Sequence, residues 1–290
     1  LNDIQGHYVY FASKIKFMCP QPDPSKARNY FLDLAGQQVR VSCYGNGPQL
    51  LIALHGYDYD GSVFAAWAST LGDQYTICAP DLPFHGQTSW RNTEFHPQGI
   101  ENIITAIAHH EGAATFQLAG HSLGARLLIC TGNAWVGKVK QFILLAPAGI
   151  GSFDRVPPLW MQRVAEKALT WPVWLKSLVD LGARLNLVSN FHRRYAEVQL
   201  YPADKRNLLF RTYNSLRHLR TTRPDRKLFW EQTTIPTLVV LAEQDRFVPN
   251  GAIKAYFSKN KNIKIIEIVG NHDLVNEKTA RVVLEQLDID

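Results

Sequence analysis

The stretch "QQVRVSCYG", residues 37 to 45, alternates along its length, with Val39, Val41 and Cys43 on one side and Arg40, Ser42 and Tyr44 on the other. A period of two is the signature of a strand whose two faces meet different surroundings. Residues 30–45 therefore read as antiparallel strands, and residues 7–19 read the same way. From Leu50 the pattern changes. "LLIALHG" is a short, continuous apolar run closed by a turn, as expected of a strand buried on both faces. A helical run over 61–71 follows, then the strand "YTICAPD", a helix over 100–110, the strand "FQLAG", a helix from Leu123 to about Trp135, and the strand "QFILLAPAG". Strands alternating with helices of this length predict right-handed βαβ units and a mostly parallel, twisted α/β sheet flanked by helices.

The alternation stops at Gly151. It resumes at "TLVVLAEQD" (237–245), with a helix over 252–259, the strand "KIIEIVG" and a last helix from Glu277 to Leu287. Residues 151–232 contain no convincing strand and read as helices broken at Pro157-Pro158, Pro172 and Pro202. The chain thus divides into an α/β core (1–150), a helical insertion (151–232) and the remainder of the core (233–290). Charge sharpens this division. The insertion carries 15 Lys and Arg against 7 Asp and Glu, while the rest of the chain has 16 against 18, so the overall charge of +6 belongs to one segment.

The hydrophobic content of 46% with 19% charged residues suits a globular protein. No run reaches the roughly 20 apolar residues of a membrane span. No signal-peptide pattern opens the chain, though Leu1 is not Met, so the natural N-terminus can lie upstream. Cys19, Cys43, Cys78 and Cys130 form no C-x-x-C pair, and the last three sit in apolar runs. They read as small buried hydrophobes, which favours a reduced, cytoplasmic protein without a zinc site.

Gly120-His121-Ser122-Leu123-Gly124 has the form G-x-S-x-G and falls where a buried strand turns into a helix. Such a turn strains the serine and brings helix and strand close together, so the positions two before and two after must lack bulk. The hydroxyl is then presented above the carboxyl edge of the sheet, where open α/β sheets bind ligands. A serine hydroxyl is a weak nucleophile unless a base takes its proton and a third group orients that base. Asp245, at the end of "VVLAEQD", and His272, after "IIEIVGN", supply an acid and then a histidine at later strand ends. His55, His85 and His121 lie on earlier turns. His109, His110, His192 and His218 fall on helices, and Asp273 is adjacent to His272 and points elsewhere.

The segments "LLIALHGYDYDG", "CAPDLPFHGQTS", "LAGHSLGA", "LVVLAEQDRFVP" and "IVGNHDLV" resemble, in order and spacing, those of the α/β-hydrolase superfamily. The resemblance implies that Ser122 is the nucleophile, His272 the general base and Asp245 the orienting acid. It also implies that the backbone N–H groups of Leu123 and Tyr57, the latter following His55-Gly56, form an oxyanion hole. "DLPFHGQTS" resembles the superfamily's D-x-x-G-x-G-x-S turn with Phe84 in place of a glycine, which makes Asp81, His85 and Ser89 structural. The insertion becomes a cap over the sheet edge.

The leading expectation is a serine hydrolase without metal or cofactor, acting on a small acyl substrate, with carboxylic esters or thioesters first. A ligand-binding or receptor protein on the same scaffold is the alternative. Nucleic-acid binding has no supporting motif. Arg193, Arg194, Lys205, Arg206, Arg211, Arg217, Arg220, Arg223, Arg226 and Lys227 of the basic segment admit two readings. One is selection of anionic substrates or of a membrane surface, with Trp160, Trp171 and Trp174 as interfacial anchors. The other, plainer reading is a solvated helix face.

Overall fold

The computed structural model describes residues 27–154, 177, 180–182, 185, 196–200 and 202–287. The strand expected over 7–19, the three tryptophans Trp160, Trp171 and Trp174, and Arg193 and Arg194 lie outside the described residues, as does much of the insertion.

Eight strands form one sheet: β1 (Arg28–Leu34), β2 (Gln37–Tyr44), β3 (Gln49–Leu54), β4 (Tyr75–Pro80), β5 (Phe116–His121), β6 (Val139–Leu145), β7 (Thr237–Ala242) and β8 (Ile263–Ile268). Their spatial order is β1-β2-β4-β3-β5-β6-β7-β8. The β1–β2 and β2–β4 pairs are antiparallel, and every other pair is parallel. This matches the sequence pattern. The inner parallel strands are mostly apolar, and all six residues of β5 and of β7 are buried, whereas the edge strand β8 exposes Lys264 and Glu267. The helices are α1 (Ala68–Leu71, led in by a 3₁₀ turn over Gly61–Trp67), α2 (Pro97–His110), α3 (Leu123–Thr131), α4 (Ala203–Ser215), α5 (Pro224–Gln232), α6 (Asn250–Phe257) and α7 (Glu277–Leu284). The described residues between β6 and β7 contain no strand; a single π-turn over Ala196–Leu200 precedes α4.

The strand order reverses at β3. The chain places β4 on one side of it and β5 on the other, so the carboxyl ends of β3 and β5 open a crevice between diverging connections. His55-Gly56-Tyr57 follow β3 and Ser122 follows β5, so both candidate segments emerge at that crevice.

One reading needs correction. Cys43 and Cys78 are buried as expected, but they are not separate thiols. They face each other in the β2–β4 register, with their Cα atoms 4.2 Å apart and their sulfurs bonded. Disulfides persist in oxidising surroundings, so the cysteine content gives no support to a reduced, cytoplasmic location. Cys130 keeps its thiol, and burial pushes its pKa up to about 12. Among the described residues no helix is long and apolar enough to cross a membrane.

Among the described residues, several cations of the basic segment contact the rest of the chain, while Arg223 and Lys227 are exposed. Arg211 donates to the carbonyls of Trp90 and Asn92 and lies 4.0 Å above the Phe84 ring. Arg217 pairs with Glu94, and Lys205 pairs with Asp58. Arg226 is buried against Cys130 Sγ and the carbonyls of Arg220 and His218. On the core side, Arg126 of α3 forms a buried ion pair with Asp154 (3.0 Å) and donates to the Leu219 carbonyl (2.8 Å). Asp154 also accepts from the N–H groups of Thr221 and Thr222. Lys205, Arg211, Arg217 and Arg226 thus each contact residues outside 151–232.

Candidate active site

Ser122 separates β5 from α3 and holds φ 50°, ψ −106°, a conformation that a residue with a side chain adopts only under constraint. Its backbone is fixed from both sides: its N–H donates to the Leu145 carbonyl, and its carbonyl accepts from Arg126 and Ala148. The flanking glycines are required by contact. A methyl on Gly120 would lie 2.6 Å from the Ala125 nitrogen, and one on Gly124 would lie 2.0 Å from the Leu54 carbonyl oxygen. The helix is therefore packed directly on the ends of β3 and β5. That packing aims the serine hydroxyl outward.

The structure brings Ser122, His272 and Asp245 together across 150 residues of chain. Ser122 Oγ lies 2.9 Å from His272 Nε2, and His272 Nδ1 lies 2.7 Å from Asp245 Oδ2. A carboxylate can only accept, so Nδ1 carries the proton and Nε2 is left as an acceptor for the hydroxyl. Asp245 Oδ1 accepts from the N–H groups of Phe247 (2.7 Å) and Val248 (3.1 Å). Burial alone would raise the Asp245 pKa, but the His272 hydrogen bond and charge and those two amides hold it below the ordinary carboxylate value. Asp273 takes no part in this chain of contacts. Its carboxyl pKa is raised by burial.

Leu123 is the first residue of α3, so its N–H has no partner within the helix. Tyr57 is positioned by a histidine that sequence reading passed over. His55 Nε2 accepts from the Leu82 N–H (2.9 Å), which leaves its proton on Nδ1, 2.7 Å from the Gly56 carbonyl. Holding that carbonyl orients the whole Gly56–Tyr57 peptide plane, since a trans peptide points its N–H opposite to its C=O. His55 is fully buried, and desolvation keeps its pKa well below the usual range, so it stays neutral. The Tyr57 hydroxyl reaches Gln199 Oε1 (3.1 Å), and Gln199 Nε2 reaches Asp58 Oδ2 (3.1 Å). The turn after β3 is thus bound to the segment preceding α4.

Asp81 is structural, as the sequence implies: its buried carboxylate accepts from the N–H groups of Gly61 and Gln87. Phe84, standing where the related turn has glycine, takes φ 74° and so carries the strain that a glycine would avoid. Its ring is held between Arg211 and Phe95. Glu94, His96 and His218 lie close enough to share a metal ion. However, Arg217 already supplies Glu94 with a cation, and His218 Nε2 lies 2.9 Å from the other oxygen of the same carboxylate.

The profile of the "Alpha/beta hydrolase family" matches residues 51–285. A putative esterase/lipase 3 of Mycoplasma genitalium is 23% identical over 243 residues, 79% of this chain and 82% of that protein. The dihydrolipoyllysine-residue acetyltransferase component of the acetoin cleaving system of Cupriavidus necator is 26% identical over 129 residues, and the match spans only 34% of its length. Among solved structures, a thermophilic esterase from Thermogutta terrifontis superposes with a TM-score of 0.66 at 17% identity, over 90% of this chain and 98% of that one.

Proposed function

Because the chain belongs to the alpha/beta hydrolase family and is therefore a hydrolase, we propose that it cleaves carboxylic esters or thioesters through an acyl-enzyme on Ser122. One observation carries this reading: the unbroken run from Ser122 Oγ through His272 to Asp245, mounted on a strained strand-to-helix turn. In the first step Ser122 Oγ attacks the acyl carbon while His272 Nε2 takes its proton. The carbonyl oxygen gains the charge, and the N–H groups of Leu123 and Tyr57 stabilise it. As the tetrahedral intermediate collapses, His272 returns the proton to the departing alcohol or thiol. Water then adds to the acyl-enzyme by the same route, leaving a carboxylic acid and free Ser122. Asp245 remains ionised throughout and stabilises the imidazolium. The described part of the insertion supplies Gln199 and Lys205, which grip the turn carrying Tyr57 and Asp58; this supports a cap role for the segment.

The name of the Mycoplasma relative points toward ester substrates. The test is turnover of a panel of p-nitrophenyl esters and acyl thioesters of graded chain length, with Ser122→Ala as control. Mass spectrometry after treatment with a fluorophosphonate should place the adduct on Ser122. Activity in Ser122→Ala above a few per cent of wild type would overturn the proposal.

A further inference from the structure

We propose that His121 is a positioning residue for the base. Its Nε2–H holds the main-chain carbonyl of His272 and so keeps the His272 ring in line with Ser122 Oγ. The inference rests on the reading of Ser122 and His272 given above.

His121 is the last residue of β5 and directly precedes Ser122, yet its side chain is almost wholly buried and turned toward the other end of the chain. Its Nε2 lies 2.8 Å from the His272 carbonyl oxygen. A carbonyl only accepts, so this nitrogen carries the ring proton. Nδ1 is then a bare acceptor. It is buried and has no hydrogen-bond partner among the described residues. A methyl built on Gly56 would lie 2.9 Å from it, which places Nδ1 against the turn that carries Tyr57. One side chain therefore touches the strand end bearing Ser122, the loop bearing His272 and the turn bearing the second amide donor.

The loop needs such a tether. β8 ends at Ile268 and α7 begins only at Glu277, so His272 sits on irregular backbone. Asp245 fixes the imidazole through Nδ1, but it does not fix the height of the backbone from which the imidazole hangs. The His272 carbonyl accepts locally from the Leu274 N–H (3.0 Å) and, across 151 residues, from His121. The second bond ties the base's own backbone to the elbow that presents the nucleophile. A misplacement of about 1 Å in such a pair costs on the order of 100-fold in rate.

The choice of residue also argues for a role beyond filling space. A phenyl ring would fill the same volume without burying an unpartnered nitrogen, an arrangement that is disfavoured unless something else is gained. A lysine or arginine would bring a donor but also a buried charge beside His272. A neutral imidazole supplies the donor on a short, flat, rigid stem.

The test compares His121→Phe and His121→Met, which keep bulk but lose the donor, with His121→Gln, whose amide places a donor near the position of Nε2. Steady-state kinetics on an ester that the wild type hydrolyses are normalised to fluorophosphonate-reactive sites, so that unfolded protein does not count. The expected result is a fall in kcat of about tenfold or more in the Phe and Met variants with KM within about threefold, as for an interaction felt only in the transition state. The acid limb of their pH–rate profile should shift, because the base is held differently, and His121→Gln should recover most of kcat. Wild-type kcat and pH profile in the Phe and Met variants, with only a lower melting temperature, would show His121 to be packing and overturn the inference. Gln as damaging as Phe would do the same. Ser122→Ala separates the two levels: if it still turns over, the site reading fails and the His121 role falls with it. If Ser122→Ala is inactive while His121→Phe is unimpaired, only the positioning role is lost.

Discussion

Replacing His121 with glutamine should make the protein more resistant to acid. Burial first, and the neighbouring His272 second, lower the His121 pKa from 6.5 to about 4. Above pH 6.5 the imidazole is neutral in both the folded and the unfolded chain and contributes no pH dependence. Between 6.5 and about 4 the unfolded chain binds a proton that the folded one refuses, so stability falls as pH falls. Each unit of pKa difference corresponds to about 1.4 kcal/mol, so the gap amounts to roughly 3 kcal/mol, of which about 2 kcal/mol is lost by pH 5. Glutamine does not titrate. Urea unfolding followed by tryptophan fluorescence, at intervals from pH 7.5 to 4.5, gives the stability of both proteins. Their difference should be flat above pH 7 and then move in favour of the variant by about 1.4 kcal/mol per unit below pH 6. His55, also buried and held neutral, remains in both proteins and cancels. Parallel curves throughout the range would show that His121 is free to protonate in the folded chain and would refute the reasoning.

Asp245→Asn should lower kcat by about three to four orders of magnitude, because an amide cannot hold the His272 tautomer; Asp273→Asn, measured in the same assay, should stay near wild type, and the reverse result would mean that the acid has been misassigned. Gly124→Ala puts a methyl 2.0 Å from the Leu54 carbonyl oxygen, and neither backbone can yield cheaply; a loss of at least about 2 kcal/mol in chemical denaturation is expected, together with reduced turnover as the end of β3 is displaced. Asp154→Ala leaves Arg126, only 3% exposed, without its carboxylate. A buried unpaired guanidinium should cost about 3–5 kcal/mol, read from the urea midpoint; a near-neutral result would mean that the insertion is not anchored through this pair.

The sequence by itself determined what neighbouring residues can settle. Continuous apolar runs specified strands covered on both faces, and alternation specified β2 as a strand, because periodicity is written in contiguous residues; that both faces are buried over Val41–Tyr44 was not written there. The strand-turn-helix around Ser122 was legible for the same reason, since two glycines at fixed offsets are a local steric demand. Asp245 and His272 could be picked out as candidates because each follows a recognisable strand by three or four residues. Other features depended on which strand lies beside which. Cys43 and Cys78 are 35 residues apart, and nothing in either run says that β2 pairs antiparallel with β4 in the register that joins them. His121 looked like one more turn histidine because its partner, the His272 carbonyl, lies 151 residues away and is a backbone atom common to every residue. Arg211 and Arg217 could not be told from surface charge because a sequence shows an arginine's sign but not its neighbours; in the structure Arg217 pairs with Glu94 and Arg211 sits on Phe84. Phe84 lies between the two cases. Its departure from glycine was visible in the chain, but only the fold shows it held at φ 74° between Arg211 and the Phe95 ring, residues 127 and 11 positions away that the tertiary structure brings to it.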